Sequence, residues 1–536
     1  MDRRTFLKSA AVAGGVGAFA QVASPLASAG PVDAARYRTA VPEIFAPIPD
    51  VPEFVPAIVI GSGFGGAVAA CRLAQAGVGV AVLERGSRWP IDPQRGIFAN
   101  DAFPDGRGFW HRTSFTGVTG IPQYFDDFGG VLDITDFSGI QVWRGAAVGG
   151  GSVVYTGVMI EPEQRFFDKV FAGTGVGYGE MHSSFYPRVR SNLLVSPMPD
   201  DIYNAQQFTH SRIWDGQSSK AGYQPQLIDG VWNWNTVRSE IRGTSSPSAT
   251  IGCSNLGNSN GAKYDLTQNY LRWAEDTGRA SIHPGHRVLS IGRESGGRYR
   301  IEVEKIDPTG AVLSTRTVTC NKLVLAAGSV GTTELLVAAR DTGTLPDLNE
   351  HVGRGWGTNG DAALVRGVTP GGVTQGAPSR SRILDESGMP VTLENWYVPG
   401  PIVDAGFTAS LGMALDDARG DFFYNRDTGR VDLRWPGQPA ADEAMRAVNR
   451  KIADMSGVAT GFAQLAKDVN SSFTAHPLGG AVLGKAADTH GRLIGYDGLY
   501  VMDGAAIPGS TGTVNPSLTI TALAGRNMDA IIAAGK

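Results

Sequence analysis

The chain is short of cysteine, short of histidine and balanced in charge, and each of these shortages removes a class of function. Three cysteines in 536 residues, Cys71, Cys253 and Cys320, are too few for a disulfide framework, and none stands in the CxxC spacing of a metal site. They read as packing residues, and no metal centre is expected. Lys and Arg number 47 against 51 Asp and Glu, a net charge of -4. A nucleic-acid binder needs a basic field that displaces counterions from phosphates, so that partner is set aside. Past residue 30 no apolar run reaches the ~18 residues that cross a bilayer, and no permanent membrane span is expected.

Glycine is the opposite case. The chain has 72 of them, well above the usual ~7%, which points to many positions where backbone turns through positive φ or lies against something. With 42% hydrophobic and 18% charged residues the composition is otherwise that of a globular protein, long enough for two or more lobes. The first residues set Arg3 and Arg4 before a Gly- and Ala-rich apolar stretch without a polar face, ending in the small-residue cleavage site Ala27-Ser28-Ala29. Residues 1–29 therefore read as a twin-arginine export signal. That route carries folded proteins, often with cofactor inserted, and implies work in the periplasm or outside the cell. Residues 30–54 are Pro-rich and read as a linker.

The segment AIVIGSGFGGAVAACRLAQAGVGVAVLERG follows. A buried-type strand over Ala57 to Ile60 runs into a glycine turn and then a helix of small residues. Gly61 permits the bend, Gly63 lets backbone approach a pyrophosphate, and Gly66 lets the helix pack closely, with its N-terminus toward the phosphates. A second strand, Val78 to Leu83, ends at Glu84, 18 residues after Gly66, where a carboxylate can accept ribose hydroxyls. A lone glycine turn is weak evidence; strand, turn, helix, strand and acid in order indicate a bound dinucleotide.

A second cluster, WRGAAVGGGSVVYTGVMIEP from Trp143 to Pro162, suits backbone lying on a large flat cofactor better than a linker. Further on, KLVLAAGSVGTTELLVAARDTG repeats strand (Leu323 to Ala326), glycine turn and helix, the way a flavin-binding domain closes on itself. The stretch before it alternates polar and apolar residues around Ser295-Gly296-Gly297 and Asp307-Pro308-Thr309-Gly310, as an antiparallel meander does. Near the end, SFTAHPLGG holds His476 between Ala475 and Pro477. A single histidine is ordinarily just a satisfied surface or core residue; near a redox cofactor it can also orient a hydroxyl or take its proton near neutral pH. In TGTVNPSLTITALAGRN, Pro516 suits a first helical turn and Asn515 its N-cap.

The blocks GSGFGG, RGAAVGGGS, CNKLVLAAGSVGTTELL, AHPLGGAVLGKAADTHGRLIGYDGLYVMDGAAIPGS and VNPSLTITALAGRN resemble the glucose-methanol-choline (GMC) oxidoreductases. Within them the chain is most similar to the bacterial cholesterol oxidases that hold FAD without a covalent bond. The implied fold is α/β (α+β overall). A Rossmann-like FAD domain over 55–165, 262–345 and 475–536 is interrupted by a substrate domain over 166–261 and 346–474, with a β-sheet roof above the flavin. The resemblance makes His476 and Asn515 the pair flanking the substrate hydroxyl. The cofactor contacts it implies are Gly61, Ser62, Gly63, Phe64, Gly65, Gly66, Glu84 and Arg85; Gly145, Gly149, Gly150, Gly151, Ser152 and Tyr155; Val288 and Gly328; and Asp503, Gly504, Asn515, Pro516 and Ser517. No His or Cys stands in WRGAAVGGGS, where covalent members tether the flavin, so dissociable FAD is expected.

Two departures limit the resemblance. Cholesterol oxidases shift the steroid double bond with a glutamate; at the matching place this chain has IVDAGFTASLGMAL, with Gly406 or its neighbours where the acid is expected and Asp404 and Glu394 as the nearest carboxylates. Tyr155-Thr156-Gly157-Val158 also replaces the Asn-Gly-Gly-Met that relatives place beside the flavin. The expected activity is oxidation of a 3β-hydroxysterol or similar bulky secondary alcohol, with O2 reduced to H2O2 and isomerisation in doubt. A GMC dehydrogenase acting on a non-steroid alcohol with another acceptor and a non-catalytic flavin- or sterol-binding protein are the alternatives. The aromatics of Phe98 to Phe125 are either ordinary core packing or an apolar lid with transient membrane contact. A monomer is the default for the oligomeric state.

Overall fold

The computed structural model describes residues 34–100, 104–116, 122–367, 375–397, 406–460 and 472–535. The twin-arginine segment and Asp404 lie outside these residues.

The main sheet is built outward from Phe54–Ile60, whose apolar Ala-Ile-Val-Ile end is buried on both faces. It pairs in parallel with Val80–Leu83 on one side and with Val312–Leu325 on the other, and Ala280–His283 extends the first edge. His286–Arg293, Tyr299–Ile306 and Val312–Leu325 form the antiparallel meander read from their alternating pattern. Leu499–Val501 returns from far down the chain to pair in parallel beside Val312–Leu325. Helix Phe64–Gln75 lies against the sheet through Ala67, Ala69 and Ala70, and helix Ser517–Ala533 packs on it. Small residues are obligatory at that join. A Cβ on Gly65 falls 1.6 Å from the Met502 carbonyl oxygen, and one on Gly66 falls 2.1 Å from that of Gly61.

The second sheet is antiparallel, in the order Asp361–Gly367, Phe407–Ala414, Val391–Trp396, Ser381–Asp385 and Gln226–Leu227. Helices Thr209–Lys220 and Pro439–Ser456 cover its outer face. The latter presents Ala441, Met445, Val448 and Ile452 at helical spacing to Leu364, Leu393 and Ala414. Its inner face roofs the site described below.

Residues 34–45, read from their prolines as linker, instead form helix Ala34–Ala40 and a 3-10 turn at Pro42–Phe45. Tyr37 stacks on Phe128 with ring centroids 4.4 Å apart, and Val41 and Ile44 join the same buried cluster, so three apolar anchors override the proline signal. Phe98, Phe109 and Phe125 follow the packing reading, Phe109 stacking on Phe125 at 4.4 Å and Phe98 buried against Trp89, while Tyr124 stays exposed.

Candidate active site

A cavity of about 630 Å³ runs beneath the roof from Glu84 and the His286–Leu289 stretch to His476 and Asn515. Three helix N-termini open on it, those beginning at Phe64, Gly328 and Ser517. None of the three has a side-chain cap, so their positive dipole ends open on the cavity and favour an anion there. Gly61 turns the chain at φ +96°, and a Cβ there meets the Ala326 carbonyl oxygen at 2.2 Å. Glu84 is 5% exposed and accepts from the Ser62 amide at 3.1 Å, the Ser62 hydroxyl at 2.6 Å and the Gly86 amide at 2.9 Å. Burial pushes its carboxyl upward against those donors. Asp503, also buried, takes the Thr332 hydroxyl at 2.5 Å and the Ala505 amide at 2.8 Å, and burial raises it to about 6. A long cavity with glycine backbone, three helix starts and two buried carboxylates fits an extended dinucleotide ending in a flat ring system.

Of the expected cofactor contacts, all but three line this cavity. Gly66, Gly149 and Ser152 stand behind the wall. The Gly149 amide donates to the Ser62 hydroxyl at 3.0 Å, while Ser152 donates to the Gly149 carbonyl at 2.7 Å and accepts the Leu266 amide at 3.1 Å. These residues brace the two glycine clusters against each other instead of facing the ligand. Because Glu84 ties the first turn to its own strand end, Glu84→Gln is expected to lower FAD retention at least ~10-fold, the loss of one to two charge-assisted hydrogen bonds. Equilibrium dialysis of the reconstituted protein measures it; turnover per bound FAD stays close to wild type.

At the far end, His476 sits on the turn after Ser472–Thr474 and lines the cavity. Its Nδ1 lies 2.7 Å from Asp361 Oδ1. Burial alone depresses the imidazolium, but the charge and hydrogen bond of Asp361, with the charge of Glu394, outweigh it and hold His476 above the usual histidine range. Asn515 is not the helix cap its sequence suggests. Pro516 occupies the residue before Ser517–Ala533, no side chain caps that helix, and Asn515 Nδ2 donates to Glu394 Oε2 at 3.2 Å. Asn515 Oδ1 and Glu394 Oε1 are buried without a partner among the described residues. Burial raises Glu394 to about 7. Its cross-strand neighbour Arg382 pulls the other way, as does the Asn515 bond.

Strand geometry explains how Glu394 arrives there. In Val391–Trp396 the side chains of Glu394 and Trp396 share one face by the two-residue period, opposite Leu411 and Ala409 in register. Trp396 and Leu411 line the cavity, while Leu393 and Asn395 point to the covering helices, Asn395 Oδ1 accepting from Ser211 at 2.8 Å. Apolar side chains of Leu132, Trp143, Val154 and Phe473 complete this end. It offers a histidine and an amide at the end of an apolar chamber, with a titratable carboxylate buried behind the amide: groups to hold a hydroxyl and take its proton, and a carboxylate one hydrogen bond away.

Residues 425–524 match the family model described as GMC oxidoreductase, and residues 59–89 that of an NAD(P)-binding Rossmann-like domain. Over its C-terminal stretch the chain is similar to the GMC oxidoreductases. It is 28% identical to a cholesterol oxidase of Mycobacterium tuberculosis over 88% of this chain and 89% of that protein. It is 25% identical to a cholesterol oxidase of Acinetobacter baumannii over 88% and 94% respectively. Among solved structures, pyridoxine 4-oxidase from Mesorbium loti superposes with a TM-score of 0.61 at 16% identity, covering 89% of this chain and 99% of that one, a likeness of fold. The oxidoreductase is an FAD-dependent enzyme acting on an alcohol.

Sequence reasoning missed Asp361 and left Glu394 without a place. The acid at the end of WGTNGD is the available signal for Asp361, but only the tertiary contact gives it meaning. The same turn reaches both catalytic candidates. Asn359, at φ +60°, accepts the Thr511 amide at 2.9 Å and donates to the Val514 carbonyl at 2.8 Å, fixing the approach to Asn515.

Proposed function

We propose that this oxidoreductase oxidises the 3β-hydroxyl of a sterol or similarly bulky secondary alcohol, uses O2 as acceptor to give H2O2, and moves the adjacent double bond with Glu394. The observation that carries the reading is the apolar chamber walled by Trp143, Val154, Trp396, Leu411 and Phe473, which ends on His476 and Asn515, with Glu394 buried behind Asn515 and hydrogen-bonded to it. Two relatives named for cholesterol oxidation, similar over most of their length, support it. Bound FAD supplies the two-electron acceptor for the carbinol hydride. Asn515 and His476 hold the hydroxyl, His476 takes its proton, and the apolar walls exclude water from the carbon that becomes a ketone. Glu394 then removes a ring proton from the unsaturated ketone and returns it at a neighbouring carbon.

A peroxide-coupled assay across 3β-hydroxysterols, 3α-hydroxysterols and short alcohols tests this. Turnover of 3β-sterols at kcat/KM at least ~100-fold above short alcohols is expected, since each buried CH2 contributes ~0.8 kcal/mol of binding. Preference for a short alcohol, or turnover that needs an added dye acceptor, contradicts it.

We further propose that the FAD is dissociable, because Trp143–Ser152 holds no His or Cys to tether it. Acid precipitation is expected to leave flavin colour in the supernatant; colour retained in the washed pellet contradicts this.

A further inference from the structure

We propose that Asp361 is a positioning residue that fixes His476 in one tautomer, Nδ1 protonated and Nε2 free, and so makes Nε2 the acceptor of the substrate hydroxyl proton. The inference rests on the alcohol-oxidising reading of the site but not on the sterol.

The Asp361 side chain is 0% exposed and is saturated by donors. Its Oδ2 takes the Thr474 hydroxyl at 2.8 Å, the Ala475 amide at 3.0 Å and the His476 amide at 3.1 Å, and its Oδ1 faces His476 Nδ1 at 2.7 Å. A carboxylate among three other donors has no proton to give, so the hydrogen between Oδ1 and Nδ1 belongs to the imidazole. The ring's other nitrogen then has a lone pair, on a residue that lines the cavity. The backbone bonds to Ala475 and His476 hold the carboxylate and the ring on the same turn, so their separation does not depend on a distant element. Asn359, two residues earlier, fixes the Thr511–Val514 approach to Asn515. One short segment therefore sets both groups that meet the hydroxyl.

As the alcohol is oxidised, its O–H bond breaks with the proton passing to Nε2. The carbinol C–H bond breaks with its electron pair passing to oxidised FAD, and the C=O bond forms. The imidazolium so produced faces Asp361 across Nδ1 and Glu394 across the site, with Arg382 behind Glu394 on the neighbouring strand. Two carboxylates against one more distant cation favour the charged ring at the moment it forms.

Asp361→Asn tests this. An asparagine has a single oxygen, and the three donors of the turn claim it; its NH2 then points at Nδ1, forces that nitrogen to accept, and moves the ring proton to Nε2. Anaerobic reduction of the bound flavin by whichever alcohol reduces the wild type is expected to slow about 10³-fold or more. In a His476→Ala background the same substitution is expected to cost less than ~3-fold, since a residue acting through His476 has nothing left to act through. Independently of any substrate, nitrogen NMR of the oxidised holoenzyme is expected to report protonated Nδ1 and unprotonated Nε2 in the wild type above the His476 pKa, with the assignment reversed in Asp361→Asn. A wild-type ring protonated at Nε2 alone overturns the proposal whether or not the variant folds. Equal slowing in both backgrounds overturns it as well and makes Asp361 a structural residue. Failure of every sterol to reduce the flavin leaves the NMR result standing and refutes only the substrate proposed above.

Discussion

His476→Ala is expected to slow anaerobic flavin reduction by an alcohol ~10²-fold or more, the range for loss of a positioned proton acceptor. Asn515→Leu is expected to do the same through loss of the amide that holds the hydroxyl. Neither substitution should unfold the protein. His476 packs at the cavity wall and Asn515 caps no helix, and the turn that holds them is fixed by Asp361 and Asn359 through backbone groups that both variants keep. Stopped-flow absorbance of the flavin band, with FAD content measured alongside, separates a chemical loss from a binding loss. Reduction at the wild-type rate returns the substituted residue to an ordinary packing role.

The second large effect is expected from Glu394→Gln, which keeps the size of the side chain and an oxygen to accept from Asn515 but removes the titrating carboxylate. Oxidation of a Δ5 sterol should proceed within a few-fold of wild type, while conversion of the product to the conjugated enone falls by ~10³-fold, the middle of the range for general-base loss. The unconjugated ketone should accumulate, and its lack of the strong ultraviolet band of the enone distinguishes it. Glu394 must be ionised to take the first proton, and burial has raised it to about 7, so the wild-type isomerisation rate should climb as pH rises through 7. The linked stability effect has the opposite direction. A carboxyl raised in the folded state binds its proton more tightly there than in the unfolded chain, so its contribution is complete below pH 4.5 and lost as pH rises toward 7. Thermal melts should show the wild type losing stability over that window relative to Glu394→Gln. Rapid enone formation by the variant would place the proton shuttle elsewhere, with Asp404 the next candidate.

How much of this was legible before the fold depended on how local each signal is. Gly61, Gly65 and Gly66 announce themselves because they fall in order within one strand-turn-helix unit, although only at Gly66 is the colliding backbone local; a side chain at Gly61 or Gly65 meets the distant Ala326 and Met502 carbonyls. The meander over 286–325 was legible because one face of each strand meets solvent and the pattern alternates. Glu394 was hidden by the opposite circumstance. Val391–Trp396 is buried on both faces, between chamber and covering helices, so no alternation marks which side chains point inward. Asn515 was recognisable as important but misassigned as a cap, because a local rule for helix starts lost to a contact with a residue on the roof sheet. Asp361 lies 115 positions from His476, and nothing in its neighbours reveals that the two meet. The prolines of residues 30–54 suggested an undocked linker, and the three apolar anchors Tyr37, Val41 and Ile44 carried the decision the other way.

The most direct test of the account is an anaerobic titration of the oxidised holoenzyme with a 3β-hydroxysterol, followed by the flavin absorbance and by product analysis. One equivalent of sterol per FAD should bleach the flavin completely and yield one equivalent of 3-ketosteroid, with colour restored by admitting O2 and peroxide released in equal amount. A flavin that stays oxidised in the presence of excess sterol, while a small alcohol bleaches it, contradicts the assignment of the apolar chamber as a sterol site.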